Sequence, residues 1–182
     1  MYILVHIGEP YLKYMSKPAS EQSIQLITKE LFSELEKKAL QSQRGRVNHN
    51  FHVDLNENPN RFLNVMSKGT YFTPHRHIDP PKPEGFIILQ GKVAMLIFDD
   101  QGTPQEVHLL DAQGETRGID IPPGIWHSLL VLSETAICYE VKPGPYVAAS
   151  DKDFASWAPK EGSADCSTYQ ETLKKWVETR IG

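Results

Sequence analysis

Between residues 44 and 158 the chain reads as a run of short strand-like segments, each closed by a turn signal. The candidate strands are Val47–Val53, Phe62–Met66, Tyr71–His77, Gly85–Leu89, Lys92–Phe98, Glu106–Asp111, Gly118–Ile121, Ser128–Leu132 and Ala136–Val141. Asp99-Asp100-Gln101-Gly102 is a hairpin loop. Strands this short and this close together bury their apolar faces only against one another. The expected fold is therefore mainly β, a sandwich or a closed barrel.

Helices are expected on both flanks. Residues 20–43 carry Ser20 as an N-cap and Ile24, Ile27, Leu31, Leu35 and Ala39 at three- and four-residue steps, one apolar face. Lys37, Lys38 and Arg44 crowd the C-terminal end, where cations suit the helix dipole. Residues 167–181 form a second, short helix, with Ser167 and Gln170 as a capping box and Tyr169, Leu173, Trp176 and Val177 as its docking face. Residues 1–19 are irregular, with prolines at 10 and 18. Met15 opens an ordinary polar start, so residues 1–14 read equally as an upstream extension or as part of the protein. Residues 20–182 read as a single domain, with the barrel over about 44–158.

Composition excludes several function classes. The chain has 182 residues, 40% of them hydrophobic, enough for a core. Its 19 basic and 23 acidic residues leave a formal charge of −4, with no basic patch to recruit nucleic acid. No apolar run approaches the roughly 18 residues of a membrane span, and the N-terminus lacks a basic signal-peptide region. Cys138 and Cys166 have no CxxC spacing, and Cys138 lies in an apolar run as a buried, inert thiol. A reducing cytoplasm is the expected compartment.

Chemistry concentrates between Gly69 and Gly91. His75 and His77 stand two residues apart, so on a strand both imidazoles leave one face while Arg76 leaves the other. Glu84 follows a stiff proline-rich loop (IDPPKP) that can return the chain to an adjacent strand. His127 starts the strand after the tight turn Pro122-Pro123-Gly124. Three neutral imidazoles and one carboxylate suit Fe(II), Mn(II), Ni(II), Cu(II) or Zn(II) and leave up to two coordination positions open.

The first segment resembles the first cupin motif through Gly69, His75, His77, Glu84 and Gly91, with six residues between His77 and Glu84 where that motif has three or four. The second resembles the second cupin motif through Pro122, Gly124 and His127, with Thr116 and Val131 at positions that motif fills with Gly and Asn. Further stretches, RVNHNFH, IFDDQG, IPPGIWHSL, EVKPGPY and DFASWAPKEG, resemble the WbuC-type cupin-fold metalloproteins over roughly residues 44–162. The resemblance implies a double-stranded β-barrel (jelly roll), one divalent metal on His75, His77, Glu84 and His127, and a setting in bacterial polysaccharide or O-antigen biosynthesis. It implies no reaction.

On the strand RVNHNFH, Arg46, Asn48, Asn50 and His52 share a face. That face either meets water or enters the barrel to bind an anionic or polyhydroxylated ligand, in which case Arg46, Asn48 and His52, with Lys142, are the substrate-binding candidates. Trp126, Trp157 and Phe154 are expected in the core rather than as a stacking platform for a ligand. His6 and His108 carry no signal. Glu140 is the catalytic candidate. A hairpin around Ser133-Glu134 would set it directly opposite His127, pointing inward, with Lys142 on the same face as its ion-pair partner. Two functions remain open. One is a metal-dependent enzyme on a sugar or small polar acid, an isomerase, epimerase or oxygenase. The other is a non-catalytic, metal-dependent ligand-binding or sensing protein. The expected partner is a small molecule, and a homodimer stays open.

Overall fold

The computed structural model describes residues 24–181. The expectations for residues 1–19 and for Ser20 lie outside them. The first helix, α1 (Lys29–Gln41), is followed by β1 (Arg46–Asn50), β2 (Asn60–Ser67), β3 (His75–Arg76), β4 (Glu84–Gln90), β5 (Lys92–Phe98), β6 (Pro104–Asp111), β7 (Gly118–Ile121), β8 (Trp126–Val131), β9 (Thr135–Lys142) and β10 (Asp153–Phe154), then α2 (Cys166–Ile181). The strands form two five-stranded antiparallel sheets, ordered β1-β2-β9-β4-β7 and β10-β3-β8-β5-β6. This is the mainly β fold that the strand pattern predicts, closed as the jelly-roll barrel that the cupin resemblance implies, with the expected helix on each flank.

The inner faces of both sheets enclose one apolar cluster that includes Met66, Phe86, Ile88, Val93, Met95, Leu110, Leu129, Val131, Ala136 and Cys138. Each outer face has its own cover. Leu35 and Ala39 of α1 pack on Leu63, Val65 and Ile137. Leu173 and Val177 of α2 pack with Ala94, Leu96, Phe98, Trp126 and Leu130. Covering both faces explains why β5 reads as a nearly unbroken apolar run, because its odd and even positions are both buried.

The helices differ from expectation at their starts. α1 begins after Thr28, whose hydroxyl accepts from the Leu31 N–H (3.2 Å). Ile24 (91% exposed) and Ile27 precede it and pack on nothing that hides them. Their spacing matched a helical face, but no sheet surface extends beneath them. The predicted capping box of α2 does not form. Ser167 lies inside the helix, and Gln170 instead donates to the Thr70 carbonyl (2.5 Å). β3 is also far shorter than Tyr71–His77, because Pro74 has no N–H to give a ladder. The Asp99–Gly102 loop forms as expected, with the Asp99 N–H donating to Thr103 and Gly102 at φ +84°.

Two further expectations are corrected by topology. The proline-rich loop does not lead Glu84 to a strand adjacent to β3; it crosses the barrel, from one sheet to the other. Likewise β8 and β9 are not a hairpin. β8 pairs with β3 and β5, whereas β9 pairs with β2 and β4, where Glu140 lies in register with Phe62 and Phe86 rather than His127. The short 132–134 link is a sheet-to-sheet crossing, which needs none of the turn chemistry of a two-residue hairpin. Among the described residues, no helix is long and apolar enough to cross a membrane.

Candidate metal centre

The site lies where the inward faces of the two sheets approach at one end of the barrel. His75 and His127 are paired in register on β3 and β8. His77 follows β3, and Glu84 opens β4 on the opposite sheet. Arg76 points away, as the alternation requires, donating to Asp153 (2.8 Å) and stacking 4.2 Å from the Trp126 ring. One ligand atom from each of His75, His77, Glu84 and His127 falls in a group spanning no more than 4.8 Å, and all four residues are buried.

The hydrogen bonds around these rings define their protonation. His75 Nδ1 faces the Thr73 carbonyl (3.1 Å), His127 Nδ1 faces the Ile125 carbonyl (2.9 Å), and His77 Nδ1 faces the Asp151 carbonyl. A carbonyl only accepts, so each Nδ1 carries a hydrogen and each Nε2 is the ring nitrogen turned toward the centre of the site. Burial, with the Lys152 ammonium nearby, holds the His75 imidazole well below its ordinary pKa, so the ring is neutral. The three Nε2 atoms then converge on the Glu84 carboxylate. His77 Nε2 lies 3.2 Å from Oε1 and His127 Nε2 lies 3.2 Å from Oε2. The Nε2 atoms of His75 and His77 have no hydrogen-bond partner among the described residues. Buried acceptors facing acceptors are costly unless a cation sits among them. Three imidazole nitrogens and one carboxylate therefore fit a divalent transition metal, by donor chemistry and by the orphaned Nε2 atoms.

A charged layer surrounds the four. Lys142 Nζ donates to Glu84 Oε1 (3.2 Å) and Asp151 Oδ2 (2.8 Å). Lys82 Nζ, from the proline-rich loop, donates to Asp151 Oδ1 (3.1 Å) and the Pro145 carbonyl (2.6 Å). The expected ion pair of Lys142 with Glu140 is thus corrected: the ammonium reaches past Glu140 to Glu84 and Asp151. Burial works against the Lys142 charge, but Glu84, Glu140 and Asp151 more than offset it and hold the ammonium above its ordinary value. Glu140 is buried and points inward, with Asn64 Nδ2 donating to its Oε2 (3.1 Å). Burial, and then the negative charge of Glu84, pushes its carboxyl up to about 8.

Above the site opens a cavity of about 470 Å³, in the size range of small-molecule pockets. Arg46, Asn48, Asn50 and His52 line it, at the mouth of the barrel, with Asn48 exposed to solvent. Arg46 is already engaged: it donates to Thr70 Oγ1 (3.0 Å), the Tyr71 carbonyl (2.8 Å) and Glu161 (2.7 Å), and stacks on Phe72. The Arg61 N–H lies 3.0 Å from His52 Nδ1. A smaller recess of about 20 Å³, room for one ion or water, lies beneath, lined by Glu84, His75 and His127 among others. Phe154 is corrected from core to cavity lining. It is 57% exposed, because β10 is an edge strand, and its ring stands 6.0 Å from that of His75. Trp126 is buried in the core as expected, and Trp157 packs against it.

Four residues of this layer escape sequence reasoning. Asp151, Lys152 and Lys82 lie in loops with no periodicity to orient them. Asn64 did leave a signal, as a polar residue in the middle of an apolar strand and in step with Asn60.

A family profile described only as a domain of unknown function, DUF6016, matches residues 27–110. No curated protein matches the chain. Among solved structures, the capsular polysaccharide assembling protein CapF from Staphylococcus aureus aligns with a TM-score of 0.50 at 17% identity, covering 62% of this chain and 32% of that one. The fold is a cupin barrel. The SPY1581 protein of unknown function from Streptococcus pyogenes aligns at 18% identity and a TM-score of 0.47, over 73% of this chain and 98% of that one. Oxalate decarboxylase from Bacillus subtilis aligns at 18% identity and 0.44, over 55% and 24%. The chain spans about a third of the length of CapF.

Proposed function

We propose that this cupin binds one divalent transition metal through His75, His77, Glu84 and His127 and uses it to act on a sugar or a small polar acid. The observation that carries this reading is the convergence of three Nε2 atoms and a carboxylate at the foot of a polar cavity. A bound metal would act as a Lewis acid on a substrate oxygen, and a redox-active one would also open oxygen chemistry. The protein's own residues supply orientation and proton handling. Lys142 and Asp151 brace Glu84 and the His77 ring. Asn48 and His52 line the cavity, positioned to meet a ligand's hydroxyls.

Glu140 lines both the cavity and the recess, the position from which a carboxyl could exchange a proton with a bound substrate. This reading covers an isomerase, an epimerase or an oxygenase. We assign the chain to the WbuC-type cupins on the stretches quoted above, and to polysaccharide biosynthesis on that resemblance together with the part of CapF in assembling capsular polysaccharide. The domain is the whole of residues 20–182. A non-catalytic binding protein is the second reading, and the Asn64–Glu140 hydrogen bond favours it, since that contact gives Glu140 a structural partner.

Elemental analysis of the purified protein tests the metal, with one transition-metal ion per chain expected. Iron would keep oxygen chemistry open and zinc would restrict the reading to polarisation. Glu140→Gln then tests whether Glu140 is catalytic or structural. Retained metal with lost turnover supports the enzyme, and unchanged turnover leaves Glu140 a structural role.

A further inference from the structure

We propose that Lys152 is the anion-binding residue of this cavity and that the ligand is a polyhydroxylated carboxylate, a sugar acid, held between Lys152 and the metal. The proposal deepens the metal-dependent reading above and rests on it.

The first argument is a count of charge. Around the site Glu84, Glu140 and Asp151 face Lys82, Lys142 and Lys152, three against three. Even with every group ionised the carboxylates only match the ammoniums, and Glu140, pushed up to about 8, is largely protonated at neutral pH, so the site holds no surplus of negative charge. A divalent ion adds two positive charges to a buried site, and an uncompensated buried charge is strongly unfavourable. A ligand that brings negative charge restores the balance; a neutral sugar does not.

The second argument is which cation is free. Lys142 is held by Glu84 and Asp151, and Lys82 by Asp151 and the Pro145 carbonyl. Arg44 and Arg46 share Glu161. Lys152 alone of these has no hydrogen bond or ion pair among the described residues. It also lines both the large cavity and the recess beside His75, Glu84 and His127. An ammonium placed at that junction can meet one oxygen of a carboxylate whose other oxygen turns to the metal.

The third argument concerns the rest of the ligand. The cavity wall carries Asn48, Asn50, Asn60 and His52, and Asn64 Oδ1 is buried with no donor. Amide-lined walls with an unfilled acceptor suit hydroxyl groups. The aromatic rings of Phe154 and Tyr146 at the same cavity offer apolar faces for a sugar's C–H surfaces. An anionic head at the metal and a hydroxylated tail along this wall describe a sugar acid.

The test uses the full chain loaded with Co(II), which reports on its ligands by absorption. D-gluconate is the probe, and sorbitol, with the same carbon chain and no carboxylate, is its control. The expected result is that gluconate binds the wild type and changes the cobalt spectrum, while sorbitol does neither. Lys152→Met should keep one cobalt per chain and weaken gluconate by about tenfold or more, the loss of one charge-assisted contact. Lys152→Arg should retain most of the affinity. The melting temperature of Lys152→Met without ligand should hold, because the ammonium has no hydrogen bond or ion pair to lose among the described residues.

Equal binding of gluconate and sorbitol, no gluconate binding, or unchanged affinity in Lys152→Met would each overturn the proposal. So would loss of the folded state in both Lys152→Met and Lys152→Gln, which would make Lys152 structural. A wild-type protein that takes up no cobalt would overturn the metal reading itself and this proposal with it. A cobalt-loaded protein that ignores gluconate overturns this proposal alone.

Discussion

Along β9 the inward side chains run Ala136, Cys138, Glu140 and Lys142; along β8, in reverse, Val131, Leu129 and His127; along β4, again in reverse, Ile88, Phe86 and Glu84. Each strand keeps its period of two, so its inner face is one continuous stripe. At one end of the barrel that stripe is hydrocarbon and buries the apolar cluster. At the other it is imidazole, carboxylate and ammonium. The two ends share strands, register and backbone hydrogen bonds, yet must be stabilised differently. The dry end is held by packing. The polar end holds charges that are tolerable only when each has its partner, so loops must reach across it: residues 78–83 bring Lys82, and the loop after β9 brings Asp151 and Lys152. The barrel thus provides the scaffold from its dry half and concentrates its chemistry where strand faces and loops meet.

Substitutions that treat the two ends alike would break this contrast. The largest effect is expected at the polar end. His75→Ala and His127→Ala should each abolish stoichiometric metal and the stabilisation linked to it, on the order of 4 kcal/mol when metal is a thousandfold above its dissociation constant. Elemental analysis and melting with and without chelator measure both; full metal retention in the two variants would contradict the assignment. Next comes Lys142→Met, which strips the ammonium from Glu84 and Asp151. Removing this buried partner, with only Lys82 left on Asp151 and the imidazoles on Glu84, should cost about 3 kcal/mol in urea unfolding. A cost below about 1 kcal/mol would place that pair in the class of exposed ion pairs and remove the distinction drawn here.

At the dry end the signature reverses. Leu110→Ala should cost about 2–5 kcal/mol through the cavity it leaves, with metal content unchanged. Loss of metal there would show that the two ends are not separable. The smallest effect is chemical. Burial, with a lesser contribution from Glu140, pushes the Cys138 thiol up to about 12, so at pH 8 an alkylating reagent should modify Cys166 and spare Cys138 until the protein unfolds. Equal labelling rates at both cysteines in the folded protein would show that the dry end opens to solvent.

The same contrast explains what was legible in the sequence. The four-residue cluster was readable because strand periodicity alone puts His75 and His77 on one side, and because the cupin-like spacing adds Glu84 and His127. Glu140 points inward as expected, although the hairpin invoked for it does not exist. Its direction is inherited from Ala136 and Cys138, whose apolar alternation sets the face of β9 whatever strand lies beside it. Pairing partners were not readable, because a three-residue link serves a hairpin and a sheet-to-sheet crossing equally. Lys82, Asp151 and Lys152 were not readable either. They meet the site through loops, where no period orients a side chain and where the contact partners lie far apart along the chain. Ile24 and Ile27 show the converse failure, a helical spacing with no surface to pack against.

The most direct test of the central claim is the anomalous scattering of a crystal grown with the protein saturated in a single transition metal. The account predicts one peak per chain, at about 2.0–2.2 Å from the Nε2 atoms of His75, His77 and His127 and from one oxygen of Glu84. An empty cluster in the saturated protein, or a peak bound by other residues, would contradict it.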